Sequence, residues 1–224
     1  MNYVFYGLVI VLLYPILINK WFVSGDGPCH LYNAKVLKDM ILGQESPFYE
    51  TFYRFNFTLA PNLFDHIVLG ILQMIFSPSL SERLFLSMYI LMFCFGVRFL
   101  MNEIQPKSTW AAIPVLIFVY HHLLLKGFFN FSFSIAASFW VIGYWLKHRD
   151  SFKLKQSLIL CILFILNYFM HPIGFVFGVV GIILIGFTAT ITAMLREDAN
   201  IILFTKMKAW LPSLLALLPA VLFF

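Results

Sequence analysis

Charge is scarce in this chain. Only 11% of its 224 residues are Asp, Glu, Lys or Arg, 62% are hydrophobic, and the mean hydropathy is +0.90. A soluble domain carries about a quarter charged residues, so a water-soluble globule is excluded. Several apolar runs reach the ~20 residues needed to cross a bilayer, and the chain reads as an all-α polytopic membrane protein. Cysteine is equally sparse. Cys29 lies in a loop, and Cys94 and Cys161 lie inside apolar runs, a spacing that forms neither a disulfide framework nor a zinc set. No internal repeat is visible, and mid-run charges are nearly absent, whereas a transporter would show repeated halves and broken, charged helices. No basic segment precedes the first apolar run and no small-x-small site follows it, which excludes a cleavable signal peptide. The net charge of +5 is clustered in a few loops. It reads as topology information, and nucleic acid is not an expected partner.

What the sequence does contain is apolar runs, aromatics and one conspicuous polar turn. Spans are expected at about 3–23, 83–101, 109–122, 128–146, 154–170, 173–195 and 210–224, about seven in all. Pro15, Pro114 and Pro212 fall inside them, tolerable where neighbouring helices satisfy the freed carbonyls. Trp21, Phe22, Trp110, Tyr144, Trp145 and Trp210 mark span ends, as an interfacial aromatic belt does. Residues 63–76 are apolar but contain Asp65, His66 and Gln73. Fourteen residues of helix cover about 21 Å, short of the ~30 Å hydrocarbon core, so an interfacial helix is expected there.

With the N-terminus inside and 63–76 not crossing, three basic loops face the cytoplasm. They carry Arg98 and Lys107; Lys147, Arg149, Lys153 and Lys155; and Arg196, Lys206 and Lys208. That is the positive-inside pattern. A second arrangement satisfies the charges as well: N-terminus outside and 63–76 spanning. Span length favours the first, which puts residues 24–82 on the extracytoplasmic face. The chain then reads as one transmembrane module, 1–224, with a long outer loop carrying amphipathic helices at about 30–42 and 63–76. Leu31, Ala34, Leu37 and Ile41 form the apolar stripe of the first, Asn33, Lys38 and Asp39 lie elsewhere around it, and Gly43 stops it. The aromatic-rich stretch 47–58, with Arg54, is expected at headgroup level.

The polar turn is Ser24-Gly25-Asp26-Gly27-Pro28-Cys29-His30, directly after the first apolar run. Asp26 has two readings. An aspartate before a proline caps a helix start, and a carboxylate at a membrane surface can act as a general base. Asp26 and His30 stand one helical turn apart and form a pair able to hold a divalent cation, if they share a face. Asp65-His66 reads as a polar helix start or as substrate contacts. His121 and His122 are adjacent at a span end, so only one can point into a cavity. Arg83 and Lys126 suit a lipid phosphate or snorkel to the interface. His171, in a tight turn before Pro172, suits a cavity wall, with Asn167 on its face. Ser132, Ser134, Ala136, Ala137 and Ser138 suit close helix packing.

This layout resembles the C-type (GT-C) membrane glycosyltransferases, among them the protein mannosyltransferases and lipid A aminoarabinose transferases. The resemblance rests on an acid directly after the first span (Asp26), juxtamembrane helices in a long outer loop, Pro61-Asn62-Leu63-Phe64 opening the second of them, and Glu82-Arg83-Leu84 at the next span. It implies a donor sugar linked to polyprenyl phosphate or diphosphate, an acceptor on the outer face, and Asp26 as the catalytic carboxylate. Under it His30, Arg54, Asp65, His66, Arg83, His121, His122, Lys126 and His171 are candidate substrate contacts. The second outer loop, Tyr120–Gly127, departs from the family in having no acid. Family members are also longer, so an N-terminal portion of a larger protein is expected. The other reading, from a different class, is a non-catalytic polytopic subunit or transporter-like protein.

Overall fold

The computed structural model describes residues 2–44, 47–56, 58, 60–106, 109–150, 152–195, 213 and 216. Apart from 213 and 216 the expected last span, 210–224, lies outside the described residues, as do Lys107, Arg196, Lys206 and Lys208. The described residues are all-helical, with no strand. In chain order the helices are α1 (Asn2–Ile18), α2 (Gly27–Ile41), α3 (Pro47–Phe52), α4 (Phe64–Ile75), α5 (Pro78–Ile104), α6 (Ala112–Val115), α7 (His122–Leu125), α8 (Phe129–His148), α9 (Leu154–Met170) and α10 (Pro172–Met194). Three are long and apolar enough to cross a membrane, within Pro78–Ile104, Phe129–His148 and Pro172–Thr192. These fit an integral membrane protein. α1 and α9 have 17 residues each.

Helix directions follow from side-chain contacts. Arg98 on α5 donates to Asn2 Oδ1 at 3.0 Å, and Arg83, a few turns earlier, donates to the Leu17 carbonyl at 3.3 Å. α1 and α5 are therefore antiparallel. Phe85 lies 4.6 Å from Phe133, and Phe99 stacks on Trp140 at 5.4 Å, so α5 and α8 run in the same direction. α10 follows α8, and α9 opposes both: Asn167 meets Ser138 and Gly174 at 3.2 Å. One end of the bundle thus collects the end of α1, the starts of α5, α8 and α10, and the end of α9. Arg98, Lys147, Arg149, Lys153 and Lys155 lie toward the other.

α2 and α4 pack on each other at the first end. α4 begins beside α9 and α8, where Asn62 N–H donates to the Phe169 carbonyl (3.1 Å) and Asp65 N–H to Asn130 Oδ1 (2.9 Å). It finishes at the start of α5, so both its ends lie at the same end of the bundle. Its buried face mixes Leu69 and Gly70 with polar side chains, and its exposed face is apolar. Asp65 and Gln73 are buried, whereas Ile67, Ile71, Met74 and Ile75 are exposed. Gln73 faces inward because its amide donates to the Leu31 carbonyl of α2 at 3.1 Å.

Two expectations are corrected. Residues 109–122 do not form one continuous helix. Short 3-10 turns at Thr109–Ala111 and Leu116–Phe118 alternate with α6, and α7 follows. Pro114 removes a hydrogen-bond donor and crowds the turn before it, and tighter turns take up the break. Neighbouring side chains serve this segment: Tyr89 donates to the Val119 carbonyl at 2.9 Å, and Tyr120 donates to the Leu12 carbonyl. The second correction is Asp39, expected on the polar side of α2. It is buried, paired with Lys35 and with Lys38 (2.9 Å), and accepts from Tyr49 Oη at 3.2 Å, which fastens α3 to α2.

Candidate functional site

The polar turn after α1 is held by a second loop. Gly25 N–H donates to the Leu125 carbonyl (3.1 Å) and Asp26 N–H to the Lys126 carbonyl (3.0 Å). Gly127 makes this approach possible. Its φ is +91°, and a Cβ there would meet Asp26 N at 2.6 Å. Asp26 precedes α2, and its carbonyl accepts from Cys29 and His30 N–H. Its carboxylate makes no capping hydrogen bond and is exposed, so the cap reading does not account for the side chain.

Asp26 lines a cleft of about 270 Å³ together with His30, Asn62, residues 128–131 and His171. Of the residues singled out from sequence, Asp26, His30 and His171 therefore meet. The His171 ring stands edge-on to Phe131 at 5.4 Å, and its Nδ1 accepts from Ile173 N–H at 3.1 Å. Burial lowers His171 from the ordinary histidine value.

Behind the cleft, α2 and α4 bring three ionisable groups together. His30 Nδ1 is 3.2 Å from His66 Nε2 and 2.7 Å from Asp65 Oδ2, and His66 Nε2 is 3.8 Å from Asp65 Oδ1. Asp65 is fully buried. Its Oδ1 accepts from His66 N–H (2.7 Å) and from Asn130 Nδ2 (2.8 Å), and that same amide donates to the Asn62 carbonyl at 2.8 Å. Burial opposes a charged His30, but the adjoining Asp65 carboxylate, the Asp26 charge and a backbone hydrogen bond to Gly127 outweigh it, and His30 is raised. Burial holds His66 low, against the attraction of Asp65. The cation pair suggested by sequence, Asp26 with His30, is not the group the fold assembles. The ligand atoms within 4.8 Å of one another belong to His30, Asp65 and His66.

The other candidates lie apart from this cleft. Arg54 borders a neighbouring cavity of about 360 Å³ with Asn33, Tyr53, Asn56 and His66. Arg83 is tied to carbonyls of Ser79 and Leu17 on the α1 side. His121 caps α7, its Nδ1 accepting from Leu124 N–H at 3.2 Å. His122 and the Lys126 side chain are exposed and outside the cleft lining, and Lys126 contributes its backbone. Sequence reasoning missed the weight of Asn130, which locks α4 onto α8. The signal available was a lone amide at the start of an otherwise apolar run. Its burial leaves no room for a glycan on the Asn130-Phe-Ser132 sequon.

Fold and site together define, among the described residues, an all-helical protein with three helices long and apolar enough to cross a membrane and a polar cleft, backed by a histidine–aspartate cluster, at one end. Comparison with models of known families, with curated proteins and with solved structures found no match.

Proposed function

We propose that this chain is a membrane-embedded glycosyltransferase module of the GT-C type. It moves a sugar from a polyprenyl-phosphate- or diphosphate-linked donor to an acceptor hydroxyl on the extracytoplasmic face. In this reading about seven spans cross the bilayer, residues 24–82 lie outside, and membrane lipids surround the bundle. The outward apolar face of α4, with both ends of that helix at one end of the bundle, favours a helix lying in the boundary and not a span.

The observation that carries the reading is the Asp26 carboxylate. It stands exposed in a cleft, uninvolved in capping, at the end opposite the basic loops. Asp26 takes the proton of the acceptor hydroxyl as that oxygen bonds to the anomeric carbon. The bond from that carbon to the lipid phosphate breaks, the phosphate oxygen leaves with the electron pair, and the anomeric configuration inverts. General-base assistance of this kind contributes about 10²–10⁴-fold. His30 and His171 line the same cleft within reach of the phosphate. Arg54 and His66, on the adjoining cavity, suit the remainder of the donor or the acceptor.

The test is Asp26→Asn, assayed in membranes for turnover of lipid-linked sugar, with expression and helicity monitored. We expect a loss of about 100-fold or more. Unchanged turnover by a normally expressed variant would overturn the assignment.

A further inference from the structure

The geometry points to a divalent transition-metal site formed by His30 Nδ1, His66 Nε2 and an Asp65 carboxylate oxygen, with Zn²⁺ as the ion its chemistry fits. This rests on the cluster alone and holds whether or not Asp26 is a transferase base.

Two imidazole nitrogens 3.2 Å apart with a carboxylate oxygen at 2.7 Å crowd three electron-pair donors around one point. Protons satisfy this set poorly. A proton on His30 Nδ1 can serve only one contact well, the buried Asp65 Oδ2 at 2.7 Å or His66 Nε2 at 3.2 Å. A metal ion would satisfy all three atoms at once. Bonds of about 2.0–2.1 Å in a tetrahedron place neighbouring ligand atoms about 3.4 Å apart. His30 Nδ1 lies 2.7 Å from Asp65 Oδ2 and 3.2 Å from His66 Nε2, somewhat inside that value, and the ligand atoms of all three residues lie within 4.8 Å of one another.

The surroundings have the character of an outer shell. Ligating carboxylates and imidazoles are themselves hydrogen-bonded, which fixes their orientation. Asp65 is held on its other oxygen by Asn130 Nδ2 and His66 N–H, and Asn130 Oδ1 accepts from Asp65 N–H. His30 is held by the Gly127 backbone. Two imidazoles and one carboxylate suit zinc and its neighbours, whereas magnesium and calcium prefer oxygen throughout. Three protein ligands leave a fourth position for water or substrate. Access exists from two sides, because His30 lines the Asp26 cleft and His66 lines the Arg54 cavity.

The experiment uses the full chain, tag-free, in detergent, with Cys29→Ser as background because Cys29 is exposed next to His30. After chelator treatment the protein is titrated with Co²⁺, read by its visible ligand-field absorption, and then with Zn²⁺ as competitor. We expect one Co²⁺ per chain, displaced by Zn²⁺. Affinity should fall about ten-fold or more in His66→Gln and in His30→Gln. Asp65→Asn should behave likewise, and retained helicity separates ligand loss from unfolding. Absence of stoichiometric binding, or binding undiminished in both folded histidine variants, overturns the proposal. Neither result depends on sugar turnover, so this site and the transferase reading fail separately.

Discussion

A methyl group at Gly127 would meet the backbone nitrogens of Asp26 and Gly27 at 2.6 and 2.8 Å. Gly43, also at positive φ, has nothing within 4 Å of such a methyl. Both positions carry the same backbone penalty, about 1 kcal/mol for a non-glycine residue, but only Gly127 adds a collision with rigid backbone. Gly127→Ala should therefore displace the Asp26 turn and destabilise by about 2 kcal/mol or more, against about 1 kcal/mol for Gly43→Ala. Thermal unfolding of the two variants in detergent checks the ordering. Asp39 supplies a pH test. Burial would raise its carboxyl, but Lys35 and Lys38 hold it below the usual aspartate range. A carboxyl lowered in the folded state stabilises above its unfolded value of about 3.9, and that contribution is lost as pH falls through the lower folded value. Between pH 5 and 3 the wild type should lose stability more steeply than Asp39→Asn, which at pH 7 should be weaker by about 1 kcal/mol. At this scale His171 was legible as a cavity-wall residue, and Asp26 and His30 stood out because a polar group beside an apolar run has few other uses; all three line one cleft. The grip of Asn130 was not legible, since its partners Asp65 and Asn62 are more than 60 residues away, and the burial of Asp39 was not, since it depends on Tyr49 of α3 closing over it as well as on Lys35 and Lys38 nearby.

Among elements, α8 and α10 approach each other closely at Gly174. A Cβ at Gly174 would fall 2.1 Å from Ser134 Oγ and 2.7 Å from the Ser134 carbonyl carbon, whereas at Gly178 the nearest atom is Val141 Cγ1 at 3.6 Å. Small residues let helices approach this closely where lipid offers no hydrophobic drive for association. The approach also lets Ser138 Oγ donate to the Gly174 carbonyl at 2.8 Å and Asn167 Nδ2 reach that carbonyl at 3.2 Å. Gly174→Ala should force the helices apart and cost about 2–3 kcal/mol, while Gly178→Ala should be near neutral. Unfolding by denaturing detergent, followed by helical circular dichroism, measures both. The small-residue pattern at Ser132–Ser138 predicted close packing but not its partner, since no one-dimensional pattern says which helix lies opposite. The α9 boundaries, 154–170, match the expectation, because a tight His171-Pro172 turn leaves no other ending. The segment 109–122 does not match, because one proline converted an apolar run into alternating short turns.

For the molecule as a whole, alternating helix direction sorts its polar groups. Asp26, His30, Asp65, His66 and His171 gather at one end, and Arg98, Lys147, Arg149, Lys153 and Lys155 lie toward the other. Between them the outward surfaces are apolar: Ile173, Phe177, Leu184 and Phe187 on α10, and Leu158, Ile162 and Leu166 on α9, are exposed. Such a band is costly in water and neutral in lipid. Charge counting reached the same sorting from sequence, because basic residues near span ends carry an orientation signal independent of packing. It left two arrangements open, and they separate by chemical labelling. Cys94 is buried and Cys161 half-buried, so exposed Cys29 is a natural reporter. With the Asp26 loop outside, a membrane-impermeant maleimide should label Cys29 in intact cells. On a Cys29→Ser background it should label Gln44→Cys at once and Asp150→Cys only after permeabilisation. If 63–76 instead spans with the N-terminus outside, Gln44 and Asp150 share the cytoplasmic side and both stay unlabelled until the membrane is opened. That outcome would also require α4 to leave Asn130 and Phe169, which hold its start at the same end as the start of α5. One residue takes part in both arrangements: Asn130 holds Asp65 of the histidine–aspartate cluster and anchors the start of α4. Labelling at Gln44 therefore tests the setting of the whole site as well as its sidedness.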